Sequence, residues 1–232
     1  RPDGIVEVTS GKVEIGQGIL TAVAQIVADE LDIDIARIRM VPASTAMSPN
    51  EGVTSGSLSI EHSGSALRFA SAEARAIYLD LAAQRLGVPA NALTVSDGTI
   101  AGPGNLRTSY WELADDGLLE RDATGKIAPK PVEQRAFTGS AAPRLDVPDK
   151  VFGRPRFIHD VRLDGMLFGR VLKPAAPWAA LQSLDTAAAK RVAGVVSIVR
   201  DGSFAGVVAQ TEAAAAAALG KLAAGATWRS GE

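Results

Sequence analysis

The 232-residue sequence contains no cysteine and only two histidines, His62 and His159. The absence of cysteine excludes disulfides, thiolate metal sites and cysteine-ligated iron–sulfur clusters from this chain. Because the two histidines are far apart in sequence, we expect neither a zinc site nor a Ser-His-Asp triad. No apolar run reaches the roughly 20 residues that a membrane-spanning helix needs. A net charge of −2 provides no basic field that would favour nucleic acid or an anionic membrane.

The remaining composition is that of a soluble globular protein, with 47% apolar and 22% charged residues. The length allows one large domain or two small ones. The sequence opens at Arg1 in mid-strand, without a methionine, and stops at Glu232, so we interpret it as a piece of a longer protein. An export signal would precede Arg1, which leaves a cytoplasmic or a periplasmic location open.

A glycine-rich stretch, residues 11–18, lies between a β-like run at 5–9 and a helix-like run that begins at Ile19. A strand followed by a glycine turn and a helix presents backbone N–H groups at the positive end of the helix dipole, where an anion binds well. Glycine lets the backbone approach a ligand closely, and the Gln17 amide offers both a donor and an acceptor.

The same order of elements occurs a second time. A strand at 37–41 is followed by a loop at 43–57, rich in small residues, and by a long helix over 65–85 with a stop signal at Gly87. Two such helix starts would bind two parts of one polyanionic ligand. Glu14 and Glu61 are the acids nearest these loops, and we interpret them as capping, ion-pairing or surface groups rather than catalytic bases.

The rest of the chain divides into three parts. The sequence predicts a hairpin over 93–100 with an Asp97-Gly98 turn, and then a short helix capped by Ser109 and Glu112. Residues 121–150 are rich in proline and charge without periodicity, which is typical of a linker. The second module has predicted strands at 157–161, 166–172, 195–199 and 204–209, a strand and helix within 181–188, and a helix with Thr211 as its N-cap.

The stretch 11–18, the loop at 54–59 and residues 160–171, in this order, resemble the molybdopterin-binding large subunit of the xanthine dehydrogenase/aldehyde oxidase family. The resemblance is greatest to the branch of bacterial isoquinoline 1-oxidoreductase. It implies an α+β fold of two modules, a β-α-β cofactor-binding segment followed by an α/β-hammerhead-like domain. The implied domains are 1–120, the first part of the molybdopterin-binding domain, a linker at 121–150, and the hammerhead-like domain at 151–232.

The resemblance also implies the site and its cofactor. Two groups of residues would bind a molybdenum-containing molybdopterin cytosine dinucleotide: Ile15, Gly16, Gln17 and Gly18 in the first loop, and Thr54, Gly56, Ser57, Leu58 and Ser59 in the second. The implied partners are a small subunit with [2Fe–2S] clusters, the remaining part of the same large subunit and a small-molecule substrate. The cysteine-free composition agrees with iron–sulfur clusters on a partner.

The implied reaction is hydroxylation of an N-heteroaromatic compound or an aldehyde, with oxygen from water. The family's glutamate base lies near the end of the full-length chain and has no counterpart here, so we expect the fragment alone to be inactive. Two alternatives remain open. One is a cofactor-free assembly or interaction module that keeps the fold. The other, a nucleotide binder, ranks last because the sequence has neither P-loop nor G-x-G-x-x-G spacing.

Overall fold

The structure, a computed structural model, describes residues 1–114, 117–174 and 176–230. The chain forms two compact units, Arg1–Arg154 and Pro155–Glu232, and both mix helix with sheet. None of the helices in the described ranges has the length and apolar character that crossing a bilayer requires.

The first unit begins with a β-α-β segment, as the sequence predicts. Strand β1 (Val6–Val8) pairs in parallel with β2 (Ile38–Met40), and helix α1 (Ile19–Leu31) connects them. Most of α1 is buried because small and apolar side chains cover more than one face of it. The helix ends where Asp32 adopts a left-handed conformation, with φ at 51°.

The long second helix packs against α1. A π-helical turn over Ser59–Gly64 leads directly into α2 (Ser65–Leu86), which ends at Gly87 with φ at 66°. The predicted hairpin is confirmed as β3 (Thr94–Ser96) and β4 (Thr99–Ala101), and β5 (Arg107–Ser109) extends it to three antiparallel strands. The core of this unit includes Val8, Val27, Leu31, Ile33, Ile38, Leu93, Ile100 and Tyr110.

The short helix predicted from Ser109 onward is wrong. Ser109 ends β5, and a turn follows it. The Ser109 hydroxyl still accepts the N–H of Glu112 at 3.1 Å, as it would in a helix cap. The Glu112 carboxylate instead accepts the Thr108 hydroxyl at 3.0 Å. The capping contact therefore forms around a single turn that does not propagate into a helix.

Buried carboxylates attach residues 121–150 to the first unit. Asp29, which is 2% exposed, accepts the N–H groups of Ala136 at 2.8 Å, Phe137 at 2.7 Å and Thr138 at 3.1 Å, together with the Thr138 hydroxyl. Burial acts to raise the pKa of Asp29, but the hydrogen bonds from Thr138, Phe137 and Ala136 outweigh it and hold that pKa below its usual value.

Three more acidic side chains, those of Glu30, Asp32 and Glu73, also bind residues of the segment 121–150. Glu30 accepts the N–H of Lys130 at 3.0 Å and pairs with Arg68 at 2.6 Å, while the Lys130 ammonium pairs with Asp32. Glu73 on α2 accepts the N–H of Thr124 at 2.8 Å. Residues 121–150 are therefore hydrogen-bonded to α1 and α2 and belong to the first unit, where the sequence predicts a linker, although most of them are exposed as that prediction expects. This unit extends through α3 (Val147–Val151) to Arg154.

The second unit contains a three-stranded antiparallel sheet in the order β6 (Phe168–Leu172), β9 (Phe204–Ala209), β8 (Val195–Asp201). Strands β7 (Ala180–Leu184) and β10 (Ala226–Arg229) form an antiparallel pair. The helices are α4 (Ala187–Lys190) and α5 (Glu212–Ala224). The predicted cap of α5 is confirmed, because the Thr211 hydroxyl accepts the N–H of Ala214 at 3.1 Å. The small side chains of Ala215 and Ala218 are fully buried, so α5 packs closely as the alanine run indicates.

The strand predicted at 157–161 is wrong. Ile158–Asp160 forms a 3-10 turn, because the Asp160 carboxylate accepts the N–H groups of both Arg156 and Phe157 at 2.9 Å. A side chain that binds backbone amides three and four residues earlier closes the chain into a turn. The elements of this unit make it a mixed α and β module, and its assignment as a hammerhead domain stays a prediction.

We predict that Asp29→Asn lowers the free energy of unfolding of this chain by roughly 2–4 kcal/mol, because a neutral amide replaces a buried charge that accepts several backbone N–H groups. Urea denaturation near neutral pH measures the change. Asp80→Asn, at an exposed position of α2, is the matched control and should alter stability by less than about 0.5 kcal/mol. Equal stability of the two variants would contradict the role given to Asp29.

The contribution of Asp29 to the free energy of unfolding also depends on pH, and it decreases in acid. Its pKa is lower in the folded than in the unfolded chain, so ionisation favours folding. The stabilisation is complete above about pH 4, the ordinary aspartate pKa, and is lost as the pH falls through the lower pKa of the folded state. The difference in stability between the wild type and Asp29→Asn should therefore shrink in acid. A difference that stays constant on acidification would show that the Asp29 charge is not its source.

Candidate functional site

The two loops singled out in the sequence lie against each other. We call residues 11–18 the first loop and residues 49–59 the second loop. The Glu51 carboxylate accepts the N–H of Gly11 at 2.6 Å and the hydroxyl of Ser10 at 2.9 Å. The Ser10 hydroxyl in turn lies 2.8 Å from that of Ser63, in the π-helical turn that follows the second loop. This buried polar network joins the starts of both loops.

A buried lysine adds two more connections. Lys12 is 2% exposed, and its ammonium donates to the carbonyl oxygens of Glu51 at 2.6 Å and Val53 at 3.0 Å. Beside it, the N–H of Val13 donates to the Thr54 hydroxyl at 3.0 Å. The structure therefore places Thr54 directly beside the first loop.

Gly11 serves this close packing rather than a ligand. A Cβ atom at this position would lie 2.2 Å from the carbonyl oxygen of Pro49. Gly16 differs, because no atom lies within 4 Å of the place its Cβ would take, and its φ is 109°. Glycine is therefore favoured at Gly16 by its backbone conformation and not by close packing, and the space above this exposed backbone is open.

The start of α1 is already bound by a side chain of its own loop. The Glu14 carboxylate accepts the N–H groups of Gly16 at 2.8 Å, Gly18 at 2.9 Å and Leu20 at 3.4 Å. The sequence predicts that these amides are free to bind an anion, and the structure corrects this, because a carboxylate of the same chain neutralises them. The interpretation of Glu14 as a capping group is confirmed.

Gln17 closes the first loop on itself. Its side-chain oxygen accepts the N–H of Ile15 at 2.7 Å, and its side-chain nitrogen donates to the carbonyl of Val13 at 2.9 Å. Gln17 and Ile15 are exposed, Ile15 by 71%. An amide has one more acceptor lone pair and one more N–H, so Gln17 keeps hydrogen-bonding capacity for a ligand.

The second loop presents a different kind of surface. Gly56 and Ser57 both have positive φ, 64° and 60°, and the chain then enters the π-helical turn at Ser59. In the described part of the chain, the hydroxyls of Ser57 and Ser59 have no hydrogen-bond partner. No carboxylate of the described residues accepts the N–H groups of residues 56–61, in contrast to the start of α1. The N–H of Leu58 donates to the Ser55 carbonyl at 3.3 Å, and the hydroxyls of Ser57 and Ser59 at this helix start stay available.

Residues 1–146 match the model of the family described as the molybdopterin cofactor-binding domain. The chain belongs to this family. The family resemblance of the two loops is thereby confirmed, and the molybdopterin cofactor-binding domain corresponds to almost all of the first structural unit.

Three proteins similar to this chain have names of dehydrogenases or oxidoreductases. A nicotinate dehydrogenase chain of Pseudomonas putida is 36% identical over 95% of this chain and 19% of its own length. The beta chain of isoquinoline 1-oxidoreductase of Brevundimonas diminuta is 30% identical over 83% of this chain and 30% of its own length. Membrane-bound aldehyde dehydrogenase [pyrroloquinoline-quinone] of Gluconacetobacter polyoxogenes is 30% identical over 84% of this chain and 26% of its own length. The chain thus spans less than a third of each of these relatives.

Several exposed polar groups on the two loops have the chemistry that a polar, anionic cofactor requires. Open space above Gly16 and the remaining amide capacity of Gln17 suit its hydrogen-bonding groups. The hydroxyls of Ser57 and Ser59 at an uncapped helix start suit its anionic groups. Leu58 is half-buried and packs beneath Gly56, 3.7 Å from the place of a Cβ there, so it shapes the second loop.

Sequence reasoning missed three residues that build this site. Lys12 and Glu51 join the two loops, and Arg144 donates to the carbonyl of Gly16 at 2.9 Å from a segment that the sequence predicts as linker. Nothing in the local sequence marks these three residues, because their partners lie about 40 to 130 positions away along the chain.

We predict that Gly11→Ala destabilises the chain by roughly 1–3 kcal/mol, because the added Cβ must push the second loop away from the first. Thermal denaturation measures the loss. Gly220→Ala is the control, since Gly220 lies exposed in α5 with no atom within 4 Å of the added methyl group. Its stability should stay equal or rise by up to about 1 kcal/mol. A Gly11→Ala chain as stable as the wild type would show that the loops are not held this tightly.

Proposed function

We propose that this chain is the first cofactor-binding part of the large subunit of a molybdenum hydroxylase that oxidises N-heteroaromatic compounds or aldehydes with water as the oxygen source. The observation that supports this most directly is the junction of the two loops. Residues about 40 positions apart are hydrogen-bonded to each other within a molybdopterin cofactor-binding domain. The names of the three relatives suggest the substrate class, two N-heteroaromatic compounds and an aldehyde.

The two loops would bind different parts of the cofactor. Gln17 would contact its hydrogen-bonding face beside Ile15 and the open space at Gly16. Gly16 and Gly18 would shape the turn, because Glu14 already accepts the N–H groups of both. Ser57 and Ser59, with Thr54, Gly56 and Leu58 supporting the loop, would hold its anionic part at the open helix start. When bound, the molybdenum cofactor supplies the two-electron redox chemistry, and the protein supplies binding and orientation.

The proposed enzyme needs further components that this chain does not contain. The cofactor would be molybdopterin cytosine dinucleotide, and the [2Fe–2S] clusters would lie on a small partner subunit; this chain has no cysteine to ligate them, which agrees with that location. The glutamate base and the substrate pocket belong to the remaining part of the same large subunit. The isolated chain is therefore inactive, and its second unit is the hammerhead-like domain.

One observation favours the alternative, a cofactor-free assembly module. Three large apolar side chains on or near the loops are strongly exposed: Ile15 by 71%, Val53 by 73% and Met47 by 80%. Exposed apolar side chains in one region are typical of surfaces that contact another polypeptide. They also suit a cofactor site that the rest of the large subunit covers. Metal and nucleotide analysis of the complete protein therefore distinguishes the hydroxylase from the assembly module.

The first experiment is metal and nucleotide analysis of the full-length parent, purified with its proposed small subunit. We expect stoichiometric molybdenum and, after acid hydrolysis, cytidine monophosphate in equal amount. A folded parent without molybdenum would reject the hydroxylase function and leave the assembly module. Molybdenum with a different nucleotide, or with none, would reject only the cytosine dinucleotide form.

We predict that Gln17→Ala in the full-length parent lowers molybdenum content while the protein stays folded. The change removes the cofactor contact and also the side-chain bonds to Ile15 and Val13 that shape the first loop. Loss of one or two hydrogen bonds corresponds to a roughly tenfold weaker affinity. Gln182→Ala, at an exposed glutamine of β7, should retain full molybdenum content. Equal molybdenum in the two variants would contradict the role of Gln17.

A further inference from the structure

Arg144 is fixed in place independently of the first loop. Its backbone is held next to α1, because the N–H of Leu145 donates to the buried Thr21 hydroxyl at 2.9 Å. Its guanidinium forms a two-pronged pair with Asp146, with Nε 3.0 Å from one carboxylate oxygen and Nη2 2.7 Å from the other. Asp146 is 4% exposed, and the Arg144 guanidinium, together with Lys150, holds its pKa well below the usual range. The guanidinium is therefore oriented before any ligand arrives.

The remaining nitrogen of this oriented group points at the first loop. Arg144 Nη1 donates to the carbonyl oxygen of Gly16 at 2.9 Å, and Nη2 lies 3.4 Å from the Glu14 carboxylate. The side chain also crosses Gly18, where an added Cβ would lie 3.7 Å from Nε. Arg144 thus contacts the peptide immediately before Gln17 and also the carboxylate that caps α1.

The turn of the first loop has few other contacts with the rest of its unit. The side chains of Glu14 and Gln17 bind backbone groups between Val13 and Leu20, so they shape the loop without fixing it to another segment. Lys12 and Val13 hold its beginning to the second loop. Among the described residues, Arg144 is the side chain from a distant segment that hydrogen-bonds to residues 14–17.

We propose that Arg144 is a positioning residue of the cofactor site, which fixes the Gly16 carbonyl and the Glu14 carboxylate and so sets the position from which Gln17 contacts the cofactor. This inference rests on the proposed function. Arg144 itself need not touch the cofactor. A lysine cannot replace it, because one ammonium group cannot pair with both Asp146 oxygens and also donate to the Gly16 carbonyl in the same geometry.

The test uses the full-length parent with its small subunit and three variants, Arg144→Ala, Arg144→Lys and Arg154→Ala. Arg154 is the matched control, because it is an exposed arginine of the same unit that pairs with Asp149 at 3.0 Å and lies outside both loops. Three quantities are measured for each protein: molybdenum per chain, the line positions of the Mo(V) electron paramagnetic resonance signal, and hydrogen–deuterium exchange of residues 14–18 and 23–31.

For both Arg144 variants we expect exchange at residues 14–18 to be about tenfold faster, since a charge-assisted hydrogen bond is lost. Exchange at 23–31 should be unchanged, which shows that α1 stays folded. Molybdenum content should fall, and the centres that remain should give a shifted Mo(V) signal. Arg154→Ala should match the wild type in all three quantities.

A wrong role for Arg144 and a wrong hydroxylase function, on which that role rests, would give different results. Wild-type parent without molybdenum overturns the hydroxylase function whatever Arg144 does. If the wild-type parent contains molybdenum, and the Arg144 variants contain as much molybdenum with an unshifted Mo(V) signal, the positioning role is wrong. This holds even if hydrogen exchange at residues 14–18 becomes faster. If Arg144→Lys keeps the wild-type molybdenum content and Mo(V) signal, the two-pronged pairing with Asp146 is not what positions the first loop.

Discussion

Burial of the Asp29 carboxylate is the constraint on which the arrangement of the first unit depends. A charge that is 2% exposed is stable only when hydrogen bonds replace its water, and three backbone amides of residues 136–138 with the Thr138 hydroxyl supply them. This requirement holds a chain segment without regular structure against α1. A few residues later the same segment places Arg144 beside the first loop, so a contact at the end of α1 organises the site at its beginning.

The glycines of the first loop have different physical roles. Gly11 is needed because backbone of the second loop occupies the space of a side chain, whereas Gly16 faces open space. The amides at the start of α1, which make such a turn an anion site in principle, are neutralised by Glu14. The second helix start has no such carboxylate among the described residues, and the hydroxyls of Ser57 and Ser59 there have no hydrogen-bond partner. A glycine-rich turn before a helix therefore does not by itself show that the amides of that helix are free.

Local patterns predicted several elements correctly, whereas the errors had both local and long-range causes. The β-α-β segment, the long helix, the Asp97-Gly98 hairpin and the Thr211 cap were predicted correctly, because neighbouring residues determine each of them. The errors came from side chains that bind backbone. Asp160 closes a turn in a segment that the sequence predicts as a strand, and acids on α1 and α2 hold the segment at 121–150. Propensity contains no information about these contacts, since it describes a segment in isolation.

The sequence by itself determined the family, the two loops and the exclusion of cysteine-based chemistry. It did so because motif order and composition are properties of the chain and do not require folding. Only the tertiary structure decided that the loops join through Lys12 and Glu51 and that Arg144 reaches Gly16. These contacts join residues up to 128 positions apart. Their energies arise from burial and from hydrogen-bond geometry, which exist only once the chain is packed.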